Sequence, residues 1–179
     1  VERLTIIGSD TENLIDLSGV TTAAFTFVSI NGDPLQITVD ADNGDDTIIA
    51  SDGFDDTLDG GDGNDVITIS SGLGNLTIFG DDGNDTITGG SGNDTIDAHD
   101  GDDVVDAGAG DDFVIGGNGA DSVLGNVGND VIHGGDGADR IDGGLGDDTL
   151  NGQSGFDTLI GNDGSDLMLG GAHDDSLRG

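Results

Sequence analysis

Aspartate recurs in this chain at one fixed phase. From Asp85 onward a carboxylate stands at every ninth residue: Asp85, Asp94, Asp103, Asp112, Asp121, Asp130, Asp139, Asp148, Asp157, Asp166 and Asp175. Asp46, Asp56 and Asp65 precede them at less regular spacing, and Leu76 takes the one turn in the series that lacks a carboxylate. A file of carboxylates is the chemistry of a hard-cation site. Other chemistry finds little support. There is no Cys to act as a nucleophile or soft ligand. His99, His133 and His173 fall at three different phases, so they read as solvated surface residues and not as a convergent cluster. Ser91, Ser122 and Ser154 lie in turns or at strand edges with no paired base. Adjacent carboxylates such as Asp111 and Asp112 resemble a glycosidase pair. The repeat accounts for them better, one as a ligand and its neighbour as a solvated turn residue. "GGNGADSVLG" has the glycines of a nucleotide loop without its following helix.

Composition sharpens the need for a cation. The 179 residues hold 38 Asp and Glu against 3 Lys and Arg, a formal net charge of -35, with 36 Gly and 1 Pro. Glycine is roughly three times its ~7% share of an average chain. Low apolar content, high charge and costly glycine ordering are the signature of disorder, unless a bound cation is part of the fold. The same charge excludes nucleic acid, whose phosphates need basic contacts, and anionic membrane surfaces. No stretch approaches the ~20 apolar residues of a transmembrane segment, and the N-terminus shows no signal-peptide pattern.

The elements that must position the aspartates follow from the period. Eleven consecutive nonads run from Gly80 to Arg178, preceded by four less regular copies starting near Ala41, Ala50, Gly60 and Ser71. The second copy carries one extra residue, and Ile69 and Ser70 are inserted before the fourth. Position four is Gly in fourteen of the fifteen copies, with His173 the exception; position six is Asp in fourteen; position eight is apolar in all. Positions seven to nine predict a three-residue strand with its middle side chain inward, and positions one to six a glycine-rich turn. A single short strand buries nothing. Two strands and two turns make a flattened coil of eighteen residues, and stacked coils bury facing rows of position-eight side chains. The expected fold is all-β: a right-handed parallel β-roll, or β-solenoid, roughly 36 Å long at ~4.8 Å per coil.

Stacking also files the position-six aspartates along each edge at ~4.8 Å, which is repulsive without intervening cations. Carboxylate and carbonyl oxygens in a flexible turn suit Ca²⁺ better than Mg²⁺ or Zn²⁺. Copies alternate sides. Eight odd copies enclose seven gaps between aspartates; on the even side Leu76 removes two, leaving four. The expectation is about eleven Ca²⁺ ions, with the even column starting at the Asp94 and Asp112 pair and a site between Asp157 and Asp175.

"GGDGNDVIT" (60–68), "GGSGNDTID" (89–97) and "GGDGADRID" (134–142) match the motif G-G-x-G-x-D-x-U-x at every defined position. Residues 41–179 therefore resemble the RTX (repeats-in-toxin, hemolysin-type) calcium-binding family. The resemblance implies that each Ca²⁺ sits between stacked turns and takes the position-six carboxylates of both. It also takes carbonyls of positions two and four from the earlier turn, and of one and three from the later. On the even side this implies Gly90 and Gly92 with Ala107 and Ala109, then Gly108 and Gly110 with Gly125 and Val127. Further along, Asn126 and Gly128 act with Gly143 and Leu145, and Gly144 and Gly146 with Gly161 and Asp163. On the odd side, Gly63 and Gly83 serve the early sites, and Gly101 acts with Gly116 and Asn118. Gly117 and Gly119 then act with Gly134 and Asp136, Gly135 and Gly137 with Gly152 and Ser154, and Gln153 and Gly155 with Gly170 and Ala172. His173 is tolerated because the last turn contributes only positions one, three and six.

The resemblance further implies a secreted, extracellular or cell-surface protein exported by type I secretion from Gram-negative bacteria, unfolded at low calcium and folding outside the cell. The export signal of such proteins follows the repeats, so the chain is expected to belong to a longer protein with flanking domains. The expected role is a non-catalytic calcium-driven module supporting secretion and stability of an attached domain. Alternatives are a stiff segment of an adhesin or surface-layer protein, or the accessory roll of a secreted protease, lipase or alginate epimerase. Residues 1–40 are less acidic, with "LTII", "AAFTFVSI" and "LQITV" reading as strands. They are expected to be irregular solenoid coils capping the stack; the alternative is an edge of a preceding domain. Outward apolar residues Phe113, Ile115, Val131, Leu167 and Leu169 all fall on even copies. They read either as scattered exposure or as a contact strip for another domain or chain.

Overall fold

The computed structural model describes residues 38–41, 43–50, 55–69 and 74–179. Each nonad's β-favouring triplet becomes a strand. In chain order these are β1 (Thr38–Asp40), β2 (Thr47–Ala50), β3 (Thr57–Asp59), β4 (Val66–Ile69), β5 (Thr77–Phe79), β6 (Thr86–Thr88), β7 (Thr95–Asp97) and β8 (Val104–Ala109). There follow β9 (Phe113–Asn118), β10 (Ser122–Val127), β11 (Val131–Asp136), β12 (Arg140–Leu145), β13 (Thr149–Ser154), β14 (Thr158–Asp163), β15 (Leu167–Ala172) and β16 (Ser176–Arg178). They sort alternately into two eight-stranded sheets, β1-β3-β5-β7-β9-β11-β13-β15 and β2-β4-β6-β8-β10-β12-β14-β16. Pairing is parallel, as for β8 and β10 (Val105 to Val123) and for β9 and β11 (Val114 to Ile132). This is the expected all-β solenoid of eighteen-residue coils, with even copies on one sheet and odd copies on the other. Among the described residues there is no helix, hence none long and apolar enough to cross a membrane.

The core is the position-eight row of each sheet. Ile48, Ile67, Ile87, Val105, Val123, Ile141 and Leu159 face Leu58, Ile78, Ile96, Val114, Ile132 and Leu150, all buried. Burying one such side chain contributes about 1.5–3 kcal/mol, and every coil adds two. At the last coil Met168 is only partly buried and Leu177 is 46% exposed. Flanking positions seven and nine face outward, as the strand period requires.

Two features differ from the expected pattern. The strands β8 to β15 are six residues long, because pairing resumes in the turn: Asn126 with Gly144 and Val127 with Leu145 continue the β10–β12 ladder. Position two makes this possible by taking a left-handed conformation, even in non-glycine residues such as Asn126 (φ 71°) and Gln153 (φ 70°). Ile69 is not a looped-out insertion. It extends β4 to pair with Ala50 and is buried, its side chain lying 3.0 Å from where a Cβ on Gly90 would sit. Ser70 lies outside the described residues, as do residues 1–37, where most of the expected N-terminal cap falls. Thr38–Asp40 pairs with β3 and so extends the even sheet by one strand.

The expected contact strip is on the even sheet, but broken. Phe113 pairs with Val131 and Ile115 with His133; Thr149 and Asn151 then separate these from Leu167 and Leu169. His99 and His173 are exposed, as expected of surface residues, His99 lying 3.4 Å from Asp97 and His173 against Phe156. His133 differs: it is half-buried and packs edge-on against Phe113 with its Nδ1 buried.

A candidate metal centre repeated along both edges

Each turn, on entering its strand, places the position-six aspartate at the rim of the core, where its side chain turns inward beneath the stacked turns. All the position-six aspartates from Asp46 to Asp157 are buried, and Asp166 and Asp175 half-buried. The two carboxylate oxygens have different fates. Oδ1 accepts the backbone N–H of the position-six residue one coil earlier: Asp94 N–H donates to Asp112 Oδ1 at 2.8 Å, and Asp121 N–H to Asp139 Oδ1 at 3.0 Å. Oδ2 is buried without a hydrogen-bond partner in Asp65, Asp85, Asp94, Asp103, Asp112, Asp121, Asp130, Asp139, Asp148 and Asp157. A buried, unpartnered carboxylate oxygen is costly, and here it recurs coil after coil.

The orphaned oxygens share their surroundings with main-chain carbonyls. A Cβ built on Gly116 would meet Asp121 Oδ2 at 2.5 Å and the Gly134 carbonyl at 2.6 Å; one on Gly89 would meet the Ala107 carbonyl at 2.5 Å and Asp94 Oδ2 at 2.8 Å. Position one of the later turn thus brings its carbonyl to the earlier turn's Oδ2. Position-two and position-three carbonyls also bridge the gap, each through one backbone hydrogen bond: Ala109 N–H to the Gly90 carbonyl at 2.9 Å and Gly92 N–H to the Ala109 carbonyl at 2.7 Å. A carbonyl has a second lone pair. Among the described residues no three metal-ligating side chains converge. Each gap offers two carboxylates, and its remaining donors are main-chain oxygens.

Electrostatics agree. Burial pushes the carboxyls of Asp65, Asp85, Asp94, Asp103, Asp121, Asp130 and Asp139 up to about 6 and that of Asp112 up to about 7, against the opposing backbone N–H bond. Neighbouring aspartates in the file add to most of these shifts. Among the described residues the ion pairs join His99 to Asp81 and Asp97 and Arg140 to Asp142, and none reaches a position-six carboxylate. An oxygen-lined, negatively charged gap of this kind fits Ca²⁺, which tolerates irregular carboxylate and carbonyl shells.

The Asp–Asp links follow the expected two columns. On the odd edge seven N–H to Oδ1 links run unbroken from Asp46 to Asp175. On the even edge four join the aspartates from Asp94 to Asp166. Leu76 still donates its N–H to Asp94 Oδ1 at 2.8 Å, but its side chain is buried with the core and brings no oxygen to the turn.

Sequence reasoning missed a second ladder. Position five reads as a solvated residue, yet its side-chain oxygen accepts the position-five N–H one coil later. On the even edge the links run Asp55–Asn75–Asn93–Asp111–Asn129–Asp147–Ser165. On the odd edge they run Asp45–Asn64–Asn84–Asp102 and end on the Ala120 N–H. Adjacent amides therefore reach in opposite directions, position six toward the later coil and position five toward the earlier. The signal was present in sequence, since position five is Asn or Asp in most copies.

These features define a calcium-binding β-roll. The family model for the RTX calcium-binding nonapeptide repeat matches in four copies, at residues 40–75, 79–114, 115–150 and 151–179. The chain belongs to that family. Comparison with curated proteins gave no match.

Proposed function

We propose that this chain is a calcium-driven folding module of a secreted protein, disordered where calcium is scarce and folded outside the cell, where it stabilises an attached domain. The observation that carries this reading is the file of buried Oδ2 atoms without partners. Each gap is held by the two aspartates above and below it, for example Asp94 and Asp112, with carbonyls such as that of Ala107 beside them. The ion supplies the positive charge that makes this file attractive instead of repulsive. About eleven ions follow if every Asp–Asp link marks one site. In this reading the chain has no catalytic step of its own. Its membership in a family typical of secreted proteins supports the extracellular role.

Binding to the folded state alone adds stability by mass action, and extracellular calcium modules work at ~10⁻⁴ to 10⁻³ M. Circular dichroism of the full chain is expected to show disorder in chelator and β-structure in millimolar calcium. A well-folded, metal-free chain at neutral pH would sink the proposal.

A further inference from the structure

We propose that the position-five oxygens are a metal-independent clasp that sets the spacing of the turns, and that its absence makes the odd edge beyond Asp121 the segment most dependent on calcium. The inference rests on the calcium reading above. The contrast lies within single coils. At the level of Asp130 and Asp148, the even turns are tied by Asn129 to Asp111 and by Asp147 to Asn129, at 2.8 and 2.9 Å. On the opposite edge, Ala120, Ala138 and Phe156 occupy position five and have no side-chain oxygen to offer the coil that follows. The odd turns around Asp139, Asp157 and Asp175 therefore keep the metal-site links but lose the clasp.

Asn129 and its kind are positioning residues: they hold the turn and leave the metal-facing oxygens to position six.

The clasp can be rebuilt. Ala120, Ala138 and Phe156 are exposed, and Ala120 N–H already makes the bond to Asp102 that a ladder requires. The triple variant Ala120→Asn, Ala138→Asn, Phe156→Asn offers an oxygen to each following coil without adding charge. The test is amide hydrogen exchange of the full chain, read turn by turn during a calcium titration. In the unaltered chain the odd turns of Asp139 and Asp157 should gain protection at about threefold higher calcium than the even turns of Asp130 and Asp148 beside them, and the triple variant should close that difference. The charge-neutral loss variant Asn93→Ala, Asn129→Ala should shift the even turns to higher calcium, and Asn129→Asp, which keeps the acceptor oxygen, should restore them. If both edges order together and the triple variant moves nothing, the clasp is wrong while the calcium reading stands. If calcium orders neither edge, the calcium reading itself has failed.

Discussion

Asp94 and Asp112 stand one coil apart, and the backbone N–H of the first donates to Oδ1 of the second at 2.8 Å, while Oδ2 of each is buried without a partner. One oxygen builds the fold and the other is left for a cation. Every interior aspartate serves twice over, facing one gap with the coil before and another with the coil after. Asp175 faces only one described partner, Asp157.

Asp112→Asn should therefore remove about two ions, and Asp175→Asn about one. Asparagine keeps the Oδ1 that receives Asp94 N–H, so the loss reports charge and not a broken ladder. Calorimetric stoichiometry of each variant against the unaltered chain decides. Equal losses would mean that carboxylates are not shared between gaps.

Acid should partly replace metal. The folded carboxyls lie at about 6, or about 7 for Asp112, against an ordinary value of 3.8. Between these limits the folded state holds more protons than the unfolded chain. Stability of the metal-free roll is then greatest at low pH and falls as pH rises through about 4 to 7, with the full penalty at neutrality. In chelator, β-structure should appear on acidification toward about pH 4 and vanish near about pH 7. Calcium affinity should fall over the same window as protons compete for the carboxylates.

Leu76→Asp should lengthen the even column. The Leu76 N–H already donates to Asp94 Oδ1, so a carboxylate there completes a gap of the regular kind. At least one further ion is expected, together with a less stable metal-free state, because the new charge enters the space of a buried core residue. An unchanged stoichiometry would show that Ile69, packed over Gly90, keeps this end closed.

Glycine matters more at position four than at position one. Gly128 has φ of 143°, and a Cβ there would fall on the Gly110 carbonyl. Gly128→Ala should cost ~1–3 kcal/mol in denaturation at saturating calcium. Gly116→Ala should cost less, since Ala98 and Ala107 already occupy the same position, fully buried.

Magnesium should substitute poorly. It demands a small octahedral shell and keeps its waters, whereas the gaps are lined by two carboxylates and fixed main-chain oxygens. Equal β-structure and compactness in equimolar Mg²⁺ would mean that the gap is smaller and more regular than the Asp–Asp links describe.

What was legible in sequence was whatever the period forces. Ile132 must be apolar and Asp130 a carboxylate because both are buried on every coil, so one register fixes the core, the alternation of edges and the break at Leu76. Asn129 escaped because an exposed amide in a turn is ordinarily free to point at water. Only the stacking of one turn on the next turns its oxygen into an acceptor. Ile69 escaped for a related reason. Counted against a nine-residue repeat it is one residue too many, but a strand can lengthen by one and bury it, and only the position of Gly90 on the coil that follows shows what it covers.

The Asp–Asp links between coils reach from each residue to another eighteen to twenty positions away and no further. A load drawn on either end would meet only the outermost coil at any moment, so the roll would unravel coil by coil. Each release would free eighteen residues of slack, roughly 60 Å at full extension. The protein would then behave under tension as a ratchet of near-equal steps, whose holding force is set tooth by tooth by the calcium around it.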